Sequence, residues 1–297
     1  MAKVFCPPVA EPLSLAQCTA WLDANLRPND PASMLDAANV MAGLAANEHF
    51  LVDYIGEGIS DADGAYQIDN SYTDHTIILH RAENYHLRAN VWFPVRDYGA
   101  GSRLAEEIHA YHLAHNHNFF FLTVGYFGPG YKTIIATHDL TSIKGNPIGQ
   151  KAHLKDHREV QLKLGSMIAF HAHTDVHNQI PPESLSISIN LMPRQDEVNL
   201  TEQFEYDLQN DLIIGHIRGQ VTQRSKLMAM LALLGGDAYA QELQNLAQSF
   251  PCPRTRLTCL QQLSRIGSLT PQLLDVALCD SSELVQQWAL QTSSQAR

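Results

Sequence analysis

The spacing of hydrophobic residues divides the chain into three regions. In residues 1–60, apolar positions such as Leu44 and Leu51 recur at intervals near three or four, which is typical of helices that pack one face against a larger body. Ser14 and Ser33 precede the two runs LAQCTAWLDANL and MLDAANVMAGLAAN, and a serine at that position caps the first turn of a helix. The first region is therefore predicted to be an N-terminal helical flank.

Residues 61–200 follow a different pattern. Asp61–Asn70 has the Asp, Gly and Asn content of a loop, and Ser102–His112 is predicted to be one inserted helix. Otherwise the region consists of short runs rich in β-forming residues, separated by turn residues, which predicts an antiparallel sandwich or barrel. The runs are Thr76–His80, Tyr85–Val95, Phe119–Phe127, Thr133–Thr137, Glu159–Leu162, Ser166–His171 and Leu185–Met192.

Residues 201–297 are rich in Leu, Gln and Ala and contain no run that predicts a strand. Similar helical segments begin at Arg224, Arg254 and Glu283, a period near 30 that is typical of helical-repeat proteins. An ordinary helical bundle packed on the central region is the alternative. The domains are therefore expected to be 1–60, 61–200 and 201–297.

Composition narrows the class of protein. The 297 residues are 45% hydrophobic and carry a formal charge of -11, so the chain lacks the basic face that nucleic-acid binding requires. We expect no signal peptide and no membrane span, because the N-terminus lacks a basic segment followed by an apolar one and no run of 18 apolar residues occurs. The five scattered cysteines form no CxxC motif, which favours free thiols in a reducing cytoplasm.

Histidine is concentrated in the middle of the chain. Thirteen of the fifteen histidines lie in residues 75–177, where an even distribution would place about five. Two of them, His115 and His117, would point to the same face of an extended strand, because strand side chains alternate between faces. Neutral imidazole binds iron, zinc, copper and nickel. A second segment, Gly165–Asn178, brings His171, His173 and His177 to the same predicted sheet system.

These two segments resemble the pair of motifs that define the cupin family. In the first, the HxH of residues 115–117 is followed by three residues, Phe121, six residues and Gly128, so Phe121 stands where the family usually has glutamate. In the second, residues 165–178 run from a glycine through an apolar strand to a histidine followed by asparagine. The replaced glutamate makes the chain similar to the three-histidine cupins, which include cysteine dioxygenase.

The resemblance implies a mainly β fold, with a cupin-like double-stranded β-helix (jelly-roll) barrel flanked by N-terminal and C-terminal α-helical regions. It implies a mononuclear non-heme Fe(II)-dependent oxygenase, acting with O2 on a small carboxylate- or amino-acid-like substrate. Three neutral imidazoles leave the charge of Fe(2+) uncompensated, which favours an anionic substrate. The implied ligands are His115, His117 and His177, with His173 as the substitute third ligand. The dry wall expected around them consists of Phe119, Phe120, Phe121 and Phe127.

Further residues follow from the same resemblance. Thiol dioxygenases hold the substrate carboxylate with an arginine upstream of HxH, and Arg88 stands at a similar separation on a strand face that could equally meet solvent. The cross-linked cysteine of that family would fall near Leu122, so no such cofactor is expected. The family's tyrosine is missing from its usual neighbourhood, and Tyr126 or Tyr131 are its candidate substitutes. Cysteine itself is therefore a less defensible substrate than another small carboxylate.

Other interpretations stay open. His173-Thr-Asp175 is the HxD pattern of 2-oxoglutarate-dependent hydroxylases, for which His216 with Arg218 or Arg224 would be the only distal partners. A zinc or nickel ion would indicate an isomerase or a hydrolase, and no metal would indicate a non-catalytic small-molecule-binding cupin. The expected partners are a small anionic substrate and O2, with no nucleic acid and no membrane. The C-terminal helices are expected to form a homodimer or to dock a protein partner.

Overall fold

A computed structural model describes residues 1–8, 10–60, 66–67, 70, 72–73, 75–194 and 197–295. The chain forms two compact units, the first made of Met1–His138 and Leu154–Gln195 and the second of Asp139–His153 and Asp196–Arg297. The domain boundaries expected at residues 60 and 200 stay predictions. Most of the predicted loop at Asp61–Asn70 lies outside the described residues.

Strands in the described part of the first unit form two antiparallel sheets. One sheet, which we call the helix-packed sheet, has the order β1-β8-β5-β10-β3-β2, and the other, the histidine sheet, contains β4-β9-β6-β7. The strands are β1 (Lys3–Phe5), β2 (Thr76–Arg81), β3 (Tyr85–Trp92), β4 (His115–Asn116), β5 (Phe121–Phe127), β6 (Lys132–Thr137), β7 (Lys155–Gln161), β8 (Met167–Phe170), β9 (Asp175–Ile180) and β10 (Ser186–Pro193).

Each of the seven predicted runs coincides with a strand. Two further strands were not predicted: β1, which lies in the N-terminal region expected to be helical, and β9. The inward side chains of β9 are polar, since Asp175, His177 and Gln179 are 1%, 2% and 7% exposed. A strand that buries its polar face breaks the usual alternation of apolar inside and polar outside, so its hydrophobic pattern gives no strand signal.

The first unit has five α-helices in its described residues, of which the first four pack against the helix-packed sheet. They are α1 (Leu15–Asn25), α2 (Pro31–Asp36), α3 (Ala38–Ala46), α4 (Phe50–Ser60) and α5 (Ser102–His109). The predicted Ser14 cap is confirmed, because Ser14 and Gln17 form a reciprocal capping box. The Ser33 cap is wrong: Asp30 caps α2 by accepting the backbone N–H of Ala32. Ser33 lies inside α2, where its hydroxyl accepts the N–H of Arg27.

Both faces of the helix-packed sheet are buried. Alternate residues such as Leu122 and Val124 pack against α1–α4 in one apolar core. The opposite face contributes Phe121, Ile168 and Phe170 to a second core, which also contains Ile135 of the histidine sheet. This second core therefore lies between the two sheets, and side chains that point into it are shielded from solvent on both sides.

The second unit contains a hairpin and five helices in its described residues. They are β11 (Phe204–Asp207), β12 (Leu212–His216), α6 (Gln220–Gly235), α7 (Ala240–Ser249), α8 (Pro253–Arg265), α9 (Pro271–Leu278) and α10 (Glu283–Gln295). The expectation of no strand after residue 201 is wrong, because β11 and β12 pair antiparallel. The turn between them is stabilised by Asp207, whose carboxylate accepts the backbone N–H groups of Gln209 and Asn210.

A nearly buried ion pair holds the helices of the second unit together. Arg256 on α8 donates from Nε and Nη2 to the two carboxylate oxygens of Asp280, at 2.8 and 2.7 Å. This bidentate contact raises the pKa of Arg256 and, against the effect of burial, holds the pKa of Asp280 below its usual range. Helix α8 also packs against both α6 and α10.

The predicted fold class is confirmed in part. The described part of the chain contains two antiparallel sheets, and helices precede and follow them in the sequence. Helices make up 43% of the described residues, so 'mainly β' describes the fold only loosely. The closed jelly-roll form stays a prediction. No helix in the described part of the chain combines the length and the apolar character needed to cross a membrane.

Gly130 provides a test of the close backbone contact where the start of β6 meets the end of β7. Its φ is +82°, and a Cβ there would lie 1.7 Å from the carbonyl oxygen of Leu162. We expect Gly130→Ala to lower the free energy of unfolding by more than about 3 kcal/mol, because the backbone strain adds to a backbone clash. Gly149 is the matched control, since its φ is +89° with nothing within 4 Å.

Gly149→Ala is expected to cost only about 1 to 2 kcal/mol, the price of the backbone conformation alone. Chemical denaturation of both variants checks this difference. Equal destabilisation by the two substitutions would contradict the close packing assigned to Gly130.

Candidate metal centre

Three histidines converge where β4 pairs with β9 in the histidine sheet. His115 on β4 is the direct cross-strand partner of His177 on β9, and His117 follows two residues after His115. One ring nitrogen from each of the three lies within 4.8 Å of the others. The closest pair, Nε2 of His117 and Nε2 of His177, is 2.9 Å apart. Strand alternation and cross-strand register therefore bring together the three residues that the sequence proposed as ligands.

Hydrogen bonds on the far side of two rings fix their orientation. Nδ1 of His115 lies 2.8 Å from the carbonyl oxygen of Leu113, so Nδ1 carries the proton and donates it. The lone pair of His115 is therefore on Nε2. A backbone or side-chain acceptor for the second ring nitrogen is the usual support for a metal-binding histidine.

Gln179 gives His177 the same kind of support. The Gln179 side-chain amide lies 3.1 Å from Nδ1 of His177, and its Oε1 is buried without a partner. Rotating this amide by 180° places Oε1 next to Nδ1 of His177, where Oε1 accepts a hydrogen bond from Nδ1–H. The lone pair of His177 is then on Nε2. The unpartnered oxygen thus fits a state in which Nε2 of His177 serves as a ligand.

The electrostatics of the cluster favour neutral rings. Burial lowers the pKa of His115, against a smaller opposite effect of the Leu113 carbonyl. Burial, followed by the proximity of His115 and His117, holds the pKa of His177 well below its usual range. Neutral imidazole is the form that donates a lone pair to a metal ion.

Aromatic rings surround the histidines. The rings of Phe119 and Phe121 lie 4.9 and 4.8 Å from that of His117, and Phe170 lies 4.6 Å from His177 and stacks on Phe121. Two of the four expected phenylalanines are elsewhere. Phe120 contacts His171 and belongs to the core beneath the helices, and Phe127 is exposed.

His173 and Asp175 do not join the cluster. The backbone N–H of His173 donates to the carbonyl oxygen of His117, but its ring is not part of the group of three. The Asp175 carboxylate accepts the backbone N–H groups of Ala2 and His171, at 2.7 and 2.6 Å. These bonds engage both carboxylate oxygens, so the HxD arrangement of a two-histidine, one-carboxylate site is not assembled.

Arg88 lies on the inner face of β3. Its neighbours Leu87 and Ala89 point to the helices, while Asn90 and Trp92, on the same side as Arg88, are both 4% exposed. This face is therefore shielded from solvent at Asn90 and Trp92, and Arg88 itself is half-buried. The guanidinium stacks 4.8 Å above the ring of Tyr72, and its Nε is buried without a partner. Burial lowers the pKa of Arg88.

The two candidate tyrosines lie on opposite sides of the helix-packed sheet. Tyr131 is buried in the core between the sheets, where its ring lies 4.6 Å from Trp92 and its hydroxyl interacts with Thr123. Tyr126 points to the helices: its ring contacts Phe50 and its hydroxyl donates to the carbonyl oxygen of Glu48. The expectation that Tyr126 lines the site is therefore not met, because its side chain lies on the face of β5 opposite to that of Phe121.

Sequence reasoning missed Gln179, Phe170 and Tyr72. Gln179 obeys the period of two that placed His115 and His117 together, because it is two residues from His177, and it would have been found if β9 had been predicted as a strand. Phe170 lies on the predicted strand β8, but its pairing with Phe121 depends on a register between distant segments. Tyr72 reaches Arg88 from a loop, and no local sequence signal indicates that contact.

The donor set fits a first-row transition-metal ion. Two imidazole nitrogens that each bind one ion at about 2.1 Å and at a right angle are about 3 Å apart, close to the 2.9 Å between His117 and His177. No Asp, Glu or Cys joins the three histidines in the part of the chain that is described. Such an all-nitrogen set suits iron, zinc, copper or nickel better than magnesium or calcium.

Comparisons with known proteins give little further information. No protein-family model matches the chain, and no curated protein is significantly similar to it. Similar solved structures include a cupin-2 domain protein from Shewanella frigidimarina, at 8% identity, covering 47% of this chain and 99% of that one, with a TM-score of 0.24. Because the TM-scores are below 0.5, these similarities carry no weight for fold or function.

Two further structures illustrate the range of these neighbours. A hydroquinone 1,2-dioxygenase from Sphingomonas with 4-hydroxybenzoate bound is 8% identical, with 42% of this chain and 68% of that one covered and a TM-score of 0.25. The DMSP lyase DddQ from Ruegeria pomeroyi is 10% identical, with 68% and 81% covered and a TM-score of 0.23.

Gln179 offers a test of the metal centre that leaves all three histidines in place. We expect Gln179→Leu to weaken metal binding by about 10- to 100-fold, because Nδ1 of His177 loses the acceptor that fixes its proton. Isothermal titration of metal-free protein with Zn(II), used as a redox-inert probe, measures the change.

Gln161→Leu is the matched control, since Gln161 donates to the carbonyl oxygen of Pro129 at the end of β7, outside the cluster. It should leave the affinity unchanged. Wild-type affinity in Gln179→Leu would show that Gln179 does not support the site.

Proposed function

We propose that the first unit is a cupin-like jelly-roll barrel and that the protein is a mononuclear non-heme Fe(II) oxygenase. In this proposal, His115, His117 and His177 hold the ion, and the substrate is a small carboxylate- or amino-acid-like anion that reacts with O2. The observation that carries the proposal is the convergence of three imidazole nitrogens, from the buried His115 and His177 and the half-buried His117, with no carboxylate among them in the described residues.

The absence of a carboxylate from the described cluster supports an anionic substrate. Three neutral imidazoles leave both positive charges of a divalent ion uncompensated, so a negatively charged ligand is attracted to the remaining coordination positions. Phe121 contributes to this, because its ring, not an acidic side chain, lies against His117. A ferrous ion at this position would supply the one-electron chemistry that O2 activation requires and that amino-acid side chains lack.

The phenylalanines have the role of excluding water. Phe119, Phe121 and Phe170 line the histidines and offer no hydrogen bond to a water molecule. A dry lining limits side reactions of reduced oxygen. It is less suited to a hydrolase, which must admit and orient a water molecule, and this favours the oxygenase over a zinc hydrolase.

Arg88 and Tyr131 are proposed to orient the substrate. The buried, unpartnered Nε of Arg88 is a donor that lacks an acceptor, and a ligand carboxylate would provide one. Stacking on Tyr72 holds the guanidinium in place. Burial raises the pKa of Tyr131, so its hydroxyl keeps its proton at neutral pH and can donate a hydrogen bond to the same anion.

The proposal is tested by loading metal-free protein with Fe(II) under anaerobic conditions and measuring O2 uptake with a panel of small thiols and amino acids. We expect uptake that depends on both iron and one class of carboxylate. Zinc-loaded protein is the matched control and should consume no O2. Iron-loaded protein that consumes no O2 with any compound, together with zinc-dependent hydrolysis or isomerisation, would contradict the oxygenase proposal.

Arg88→Lys separates substrate binding from metal binding. We expect the KM for the active carboxylate to rise by about 10- to 100-fold, since an ammonium cannot form the bidentate contact, while the iron content stays at the wild-type level. Arg96→Lys is the control, because Arg96 is exposed and donates to the carbonyl oxygen of Glu183. An unchanged KM in Arg88→Lys would exclude the proposed role.

A further inference from the structure

One helix of the second unit carries a row of exposed apolar side chains. On α6, Leu227, Met230, Leu233 and Leu234 are 53%, 53%, 57% and 84% exposed, and we call these four residues the α6 seam. The other side of the helix packs into the core of its own unit through the buried Ala232 and its neighbours. A contiguous apolar patch of this kind on a surface marks an interaction site.

The spacing of the seam fits a second helix. Its positions recur at intervals of three and four, which is the pattern of a helix–helix contact. Surface leucines that occur singly need no partner, but four within eight residues on one helix present a continuous stripe. The seam is therefore suited to an apolar helix face of similar length.

The exposed positions on this side of α6, which are the seam and Lys226, are symmetric about Met230. Lys226, Leu227, Met230, Leu233 and Leu234 are all exposed, and the set maps onto itself when the direction of the helix is reversed about residue 230. Two copies of α6 that cross antiparallel about a two-fold axis at Met230 would place each Leu227 opposite the other copy's Leu233. Such self-complementarity is the requirement for an isologous dimer interface.

Charge selects the antiparallel orientation. The last turn of α6 contains no basic residue, and the exposed Asp237 lies two residues beyond the end of the helix. An antiparallel partner brings its Lys226 to this end, where the helix dipole and Asp237 both favour a positive charge. A parallel pair would instead place the two Lys226 side chains side by side. Arg224 is engaged within its own unit by Thr255 and Asn199.

We propose that the protein forms a homodimer in which two α6 seams pack antiparallel about a two-fold axis at Met230. This proposal concerns the second unit and does not depend on the metal centre. The first test is sedimentation velocity of the full chain between about 1 and 100 µM. We expect a dimer whose dissociation constant rises by at least about 100-fold in Met230→Glu, because the substitution buries a charge at the centre of the contact.

Leu290→Glu is the matched control, since Leu290 is 60% exposed on α10 and lies outside the seam. It should leave the dissociation constant unchanged. A wild-type chain that stays monomeric throughout this range would overturn the proposal, and so would a dimer that survives Met230→Glu. Circular dichroism and thermal melting of Met230→Glu should match the wild type, because the side chain at this position is exposed.

Disulfide trapping tests the orientation. In a background with the exposed Cys6 and Cys279 replaced by serine, a mixture of Leu227→Cys chains and Leu233→Cys chains should give the mixed disulfide on oxidation. Leu227→Cys alone should give much less dimer, because the two Leu227 positions lie on opposite sides of the axis. Efficient self-linking of Leu227→Cys with no mixed product would indicate a parallel pair and overturn the proposal.

Discussion

The candidate metal centre depends on one geometric constraint, the cross-strand register that sets His115 directly opposite His177. In an extended strand the side chains alternate between faces, so this register, together with the spacing of two between His115 and His117, puts all three rings on the same side of the histidine sheet. A slip of one residue between β4 and β9 would turn His177 to the other face. Gln179 and Leu113 then fix the ring orientations.

This register is maintained by structure on both sides of β9. The strand pairs with β6 as well as β4, and Asp175 at its start accepts backbone N–H groups from Ala2 and His171. Polar side chains inside a protein are tolerated when they are hydrogen bonded. The strand therefore buries Asp175, His177 and Gln179 where most strands bury aliphatic residues, and the polar inner face supplies the site.

Local signals predicted much of the first unit. The β-forming runs, the Ser14 cap and the HxH spacing each depend on residues close together in the chain, and the structure contains all three. Contacts between distant segments were not predictable in this way. The inner-face position of Arg88, the stacking of Tyr72 on it and the direction of Tyr126 toward the helices depend on which face of a strand meets the helices, and that is decided by packing.

The wrong or missing predictions of a helix start, a hairpin and the strand β9 each have a physical cause. Ser33 lost the capping position because Asp30 followed by Pro31 is a better helix start, with the proline ring at a position that needs no N–H donor. The hairpin of β11 and β12 was hidden because Asp207 forms the turn within a sequence otherwise rich in helix formers. The alternation of β9 was hidden because its buried face is polar.

The most direct test of the metal centre is the metal content of purified protein, measured by elemental mass spectrometry on wild type, His177→Ala and His157→Ala. His157 is exposed on β7 and serves as the control for the loss of a histidine. We expect about one iron per chain in wild type and in His157→Ala, and less than about a tenth of that in His177→Ala. Equal metal content in all three proteins would contradict the assignment of His177 as a ligand.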